Sequence, residues 1–276
     1  MSVLQSIIYG LVSGLSSFLP VSSGAHQALM RYLFGVETRI PLQEILVHIG
    51  VLFAVIVGCY DRIDRLRREQ KLLSVSSRRK SHFFDSRSYF DLRLLKTATV
   101  PLVIGSFLFL ATAGMGNNLL SLMIFWLLNA LILLVADHCR RGNRDSRTMS
   151  ALDSIIMGVL GALSVFPGIS RTGMISAYAT ARGVDSENAV NWSALLVLPA
   201  TAVLICLDLF YIVTTGLGGG SAVMVLGYFL SGIASFVGGY LGISLFKVIL
   251  NHNGFLNFAY YSIGTAMISF FLYLIT

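Results

Sequence analysis

Seventeen residues near the start of the chain, Gly10 to His26, carry Ser13, Ser16, Ser17, Ser22, Ser23 and His26 in surroundings that are otherwise apolar, with Pro20 in the middle. An unpaired polar group in hydrocarbon costs several kcal/mol, so such a cluster belongs on a protected cavity wall and not against lipid. A second polar break, Pro167-Gly-Ile-Ser-Arg-Thr-Gly173, carries Ser170, Arg171 and Thr172. Arginine suits phosphate because its planar fork donates two parallel hydrogen bonds. Helix N-termini beside each break add free N–H groups and a positive dipole end, and Ser22 and Ser23 add hydroxyl donors. The chemistry this implies is anion binding inside a membrane, with Arg171 as an intramembrane charge and therefore a functional candidate.

Glu44 and His48 lie one helical turn apart on one face. They read either as a polar lock between helices or as groups for proton transfer, and His26 reads equally as a capping histidine or a participant. Ser13, Ser16 and Ser17, taken alone, read as small residues for close helix packing. Asp208, Asp137 and Lys247 lie near the ends of apolar runs and read as interfacial anchors.

The elements that must position these groups follow from composition. The 276 residues are 55% hydrophobic and 12% charged, with a mean hydropathy of +0.78, which is far from soluble composition. The chain reads as an all-α polytopic membrane protein forming a single membrane domain over 1–276. Residues 1 to 35 hold two apolar runs, each too short to span, and predict a re-entrant helical hairpin. Spans are predicted at Pro41 to Tyr60, Thr97 to Met115 with Pro101 near its start, and Leu119 to Ala136. Residues 150 to 182 predict a second hairpin, followed by spans at Ala189 to Val213, Ala222 to Phe246 and Phe255 to Ile275, the last two joined by a turn over Lys247 to Gly254. The plan is an inverted repeat of two halves, 1–138 and 150–276, each a re-entrant hairpin plus three transmembrane helices.

Fifteen of the 20 Lys and Arg fall in two polar loops, 61–96 and 139–149. That reads as a cytoplasmic topology signal, with both termini outside, and not as a nucleic-acid surface, since interleaved aromatics are missing. Cys59, Cys139 and Cys206 are too scattered for a disulfide framework or a zinc site. The first residues lack a positive segment, so no cleavable signal peptide is expected.

Four motifs in order, Phe18-Leu-Pro-Val-Ser-Ser-Gly-Ala-His26, Glu44-Ile-Leu-Val-His48-Ile-Gly50, Pro167 to Gly173 and Asn191-Trp-Ser-Ala-Leu-Leu-Val-Leu-Pro199, resemble the undecaprenyl pyrophosphate phosphatase, or bacitracin-resistance, family. The resemblance implies hydrolysis of a polyprenyl pyrophosphate carrier to its monophosphate, at the bacterial plasma membrane, during cell-wall carrier recycling. It implies that Arg171, flanked by Ser170 and Thr172 and joined by Gly168, Gly173 and His48, binds the pyrophosphate. His26, Ser22, Ser23 and Glu44 are then the catalytic candidates.

The resemblance also implies a divalent cation, Mg or Ca, supported by two glutamates before the Phe-Leu-Pro. Both positions are serine here, Ser13 and Ser17, and Tyr261-Ser262 stands where the family has Tyr-Arg. A non-hydrolytic alternative, a polyprenyl-phosphate flippase or lipid-binding paralogue using the same anion site, fits the missing glutamates. The oligomeric state stays open, with a homodimer among the alternatives.

Overall fold

The computed structural model describes residues 1–79, 90–139, 142, 149–216 and 221–276, and the regular structure among them is helical. Helices α1 (Val3–Phe18) and α2 (Ser23–Leu33) form a short pair broken at residues 19–22. Then follow α3 (Pro41–Gly58), α4 (Tyr60–Arg79), α5 (Phe90–Ser106), the single turn α6 (Phe109–Thr112) and α7 (Leu119–Asp137). A second short pair, α8 (Ala151–Ala162) and α9 (Arg171–Ala181), precedes α10 (Ser186–Thr215), α11 (Ala222–Asn253) and α12 (Leu256–Ile275).

Helices α3, α7, α10, α11 and α12 are each long and apolar enough to cross a membrane, and α5 with the turns after it makes a sixth candidate bent by 40°. Their outer faces are bare of protein: Val213 is 84% exposed and Phe210 and Ile104 are each 67% exposed. Such a surface on helices of this length and hydropathy is that of membrane-spanning segments. The chain is an all-α polytopic membrane protein.

Three expected boundaries move. The polar stretch after residue 60 is helical through Arg79 and not a loop. Its Arg, Leu, Glu, Gln and Lys are good helix formers, and Arg68–Asp64 (2.5 Å) and Arg65–Glu69 (3.5 Å) pair at i,i+4. Glu69 also accepts the Leu92 N–H at 3.0 Å, tying α4 to the start of α5. Residues 80–89 of that loop, and most of the loop at 139–149, lie outside the described residues. The span expected from Thr97 starts at Phe90, so Pro101 falls inside the helix, and the helix stops at Ser106. The turn expected from Lys247 is absorbed into α11, which runs on to Asn253 before Gly254, at φ +69°, ends it.

Packing is reciprocal. Helix α1 lies on α11 as α8 lies on α5, α3 meets α10, and α7 meets α12. The closest of these contacts needs glycine. A Cβ on Gly10 would sit 2.0 Å from the Ser231 carbonyl oxygen, and one on Gly14 would sit 2.1 Å from that of Ser235. Gly10→Val is therefore expected to cost on the order of 3 kcal/mol or to abolish folding, read as early thermal unfolding in detergent. A variant as stable as the wild type would show that α1 and α11 do not touch there.

Candidate functional site

The two short helix pairs meet tip to tip. After α1 the chain turns through Leu19, Pro20 and Val21, and their carbonyls are all taken by side chains from elsewhere. Thr172 Oγ1 donates to Leu19 O (3.1 Å), Asn129 Nδ2 to Pro20 O (3.0 Å) and Trp126 Nε1 to Val21 O (3.0 Å). Asn129 also accepts the Ser170 N–H at 2.9 Å, so one α7 side chain holds both tips. Ser22 Oγ accepts the Gly168 N–H at 3.0 Å.

Both breaks depend on unusual backbone. Ser22 is the only non-glycine residue at positive φ among the described residues, at φ +68°, a conformation that persists only when its surroundings over-determine it. Gly168, at φ +124°, lies so close to α7 that a Cβ would be 2.4 Å from Phe125 Cβ and 2.8 Å from the Trp126 nitrogen. Ser170 then caps α9, its Oγ accepting the Gly173 N–H at 3.1 Å.

Beside these tips lies a cavity of about 90 Å³. Ser17, Ser22, Ser23, His48, Ser170 and Arg171 line it, all of them expected from sequence. The Nε of Arg171 is buried without a hydrogen-bond partner, and no carboxylate pairs with this guanidinium among the described residues. A half-buried guanidinium with no ion-pair partner, standing at a helix N-terminus, is poised for an anion.

Other expected site residues lie behind the wall. His26 faces away: Nδ1 is 2.7 Å from the Ser22 carbonyl, Nε2 is 2.8 Å from Tyr261 Oη, and the ring sits edge-on to Trp126. Thr172, Gly168 and Gly173 serve the junction of the tips. The Ser13 hydroxyl is buried without a partner, while Ser17 donates to the Ser13 carbonyl at 2.7 Å.

Glu44 is also behind the wall, in a charge cluster that sequence reading missed. Tyr9 Oη donates to Glu44 Oε1 at 2.5 Å, Arg31 Nη1 reaches it at 3.5 Å and Arg39 Nε at 3.9 Å. Arg39 Nη2 continues to Asp208 Oδ1 at 3.4 Å, and the other Asp208 oxygen is 3.7 Å from His48 Nδ1. Asp208 is thus no interfacial anchor, being 4% exposed in the middle of the ion-pair chain. Arg31 and Arg39 line the cavity, and the Arg39 guanidinium lies 4.7 Å from the centre of the Phe109 ring. One signal for Arg31 is in the sequence: Ser23, Gln27 and Arg31 recur at i, i+4 and i+8 on α2, and all three line the cavity.

The donor set bears on a cation. Mg²⁺ and Ca²⁺ take hard oxygen ligands, carboxylates above all. The polar cavity side chains are hydroxyls, an amide, guanidiniums and one imidazole, and the two nearby carboxylates each have an oxygen on an arginine. Among the described residues no three His, Cys, Asp or Glu side chains converge. This set does not fit a hard divalent ion.

Fold and site together define a multi-pass membrane protein with an arginine-lined cavity beside two broken helix pairs. The chain belongs to the family of bacitracin resistance protein BacA, whose family model matches residues 6–268. It is similar to the undecaprenyl-diphosphatase of Alkaliphilus metalliredigens, 31% identical over 277 residues, covering 99% of this chain and 100% of that one. The undecaprenyl-diphosphatase of Thermosipho africanus is 30% identical over 272 residues, 98% and 100% of the two chains, and that of Idiomarina loihiensis is 30% identical over 278 residues, 99% and 100%.

Proposed function

We propose that this chain is an undecaprenyl, or polyprenyl, pyrophosphate phosphatase that regenerates the carrier monophosphate. The observation that carries this reading is Arg171, an unpaired guanidinium at the N-terminus of α9 and on the wall of the cavity. The terminal phosphates would be held there by Arg171, Ser170 and the α9 N-terminus. The apolar side of the cavity, Phe109, Val197 and Leu204, suits the start of the lipid chain.

In the reaction, an attacking oxygen bonds to the terminal phosphorus, the P–O bond to the inner phosphate breaks, and polyprenyl monophosphate leaves. We assign the attack to Ser23, whose side chain lines the cavity, because the Ser22 oxygen is engaged by Gly168. Water then cleaves the phosphoserine and releases inorganic phosphate. His48 is the imidazole that faces the cavity, backed by Asp208, and it suits the proton transfers better than His26, whose nitrogens are occupied.

The reciprocal packing supports two halves of opposite orientation, with the basic loops cytoplasmic and both termini outside the bacterial plasma membrane. Purified protein is expected to release phosphate from farnesyl pyrophosphate, assayed in parallel with chelator and with Mg²⁺. No release in either buffer, together with Arg171-dependent movement of polyprenyl phosphate between vesicle leaflets, would replace this reading with the flippase.

A further inference from the structure

We infer that this site binds pyrophosphate without a divalent cation, the guanidiniums of Arg31 and Arg39 standing where a metal ion would neutralise the headgroup. The inference rests on the pyrophosphate reading above and concerns what supplies the positive charge.

Three observations carry it. First, the cavity wall offers no free carboxylate to a metal. Ser17 is a hydroxyl that already donates to the Ser13 carbonyl, and Glu44 and Asp208, each with one oxygen on an arginine and the other buried without a hydrogen-bond partner, are not among the residues that line the cavity. Second, those two acids lie behind the arginines and do not line the cavity, while both arginines do. Each carboxylate therefore anchors a guanidinium whose residue lines the cavity, and it engages only part of that guanidinium. Arginine has five N–H donors, so an anchoring contact does not exhaust it. Third, Arg171 enters from the opposite helix pair with no acid in ion-pair range among the described residues. Two arginines from the α2–α3 side and one from α9 thus surround one small cavity.

Arginine clamps and Mg²⁺ ions do the same electrostatic work on phosphoryl oxygens, and a dry site magnifies either. What differs is the residue set each requires. A metal needs acids facing the substrate; arginines need acids facing away, which is the arrangement here. The Tyr9 hydroxyl completes the anchor, donating to Glu44 and standing 3.2 Å from Arg31 Nη1.

The test is calorimetric binding of farnesyl pyrophosphate to the full chain in detergent, with excess EDTA and with Mg²⁺, alongside phosphate release in the same buffers. Binding is expected to be as tight in EDTA. Arg31→Gln should weaken it about 10- to 100-fold, the loss of a charge-assisted hydrogen bond, with no rescue by Mg²⁺. Arg31 is buried, so Arg39→Gln, at a quarter-exposed side chain, gives a second reading that does not depend on α2 folding around a changed residue. A Mn²⁺ titration followed by electron paramagnetic resonance should leave the free-ion signal intact in the protein without ligand.

Binding that disappears in EDTA and returns with Mg²⁺ would overturn the inference. So would arginine variants that bind as tightly as the wild type. EDTA-resistant, Arg31-dependent binding without phosphate release in any buffer would uphold the inference and sink the phosphatase reading. Release that requires Mg²⁺ would do the reverse.

Discussion

Arg171→Ala is expected to lower phosphate release from farnesyl pyrophosphate by about 10³-fold, since a guanidinium aimed at a phosphoryl group is worth that much in transfer reactions. The same variant should unfold at a temperature no lower than the wild type, or at a higher one. The reason is that half-buried Arg171 has no hydrogen-bond partner for its buried Nε and no paired carboxylate among the described residues, so the partial desolvation it suffers is uncompensated in the free protein. Loss of activity with gain of stability is the pattern of a group held for function. Arg171→Lys should recover little, because an ammonium is a point charge without the bidentate fork. Thermal unfolding in detergent beside the phosphate assay checks both halves. A variant that lost stability and activity together would make Arg171 a structural residue.

Glu44→Ala is expected to have the opposite profile, losing about 3–5 kcal/mol of stability, because it strands Arg31 beside a buried tyrosine and removes one of the two acids that hold Arg39. Glu44→Gln keeps the shape and an acceptor for the Tyr9 hydroxyl, so it should be less damaging to stability. It should still weaken pyrophosphate binding, because the two guanidiniums lose the charge that orients them. Thermal unfolding of both variants, with calorimetric binding for Glu44→Gln, checks this. If Glu44→Ala unfolds like the wild type, the ion-pair chain is not a framework element.

Much of this site was readable along the chain because its two tips are local. Pro167 to Gly173 spells a break and a cation within seven residues, and α9 begins inside that stretch, at Arg171, with Ser170 as its cap. The segment from Phe18 to Gly24 likewise spells a break, and α2 begins within it at Ser23. Arg31 was readable too, four and eight residues beyond Gln27 and Ser23, but only once the face of α2 carrying Ser23 is known to be the cavity face. His26 shows the limit. Three residues from Ser23, it is displaced around the helix by enough to meet Trp126 and Tyr261 instead of the cavity.

Arg39 and Asp208 meet from positions 169 residues apart, and Tyr9 meets Glu44 from 35 residues away. No local spacing announces either pair. By itself the sequence determined the membrane class and the two broken helix pairs, since hydropathy, proline, glycine and capping act over one or two helical turns. Only the tertiary structure decided which side of each helix faces the cavity, and hence that the acids stand behind arginines. Helix rotation is set by long-range packing such as Gly10 against Ser231 and Asn129 between the tips, and that packing places guanidiniums, not carboxylates, around the cavity.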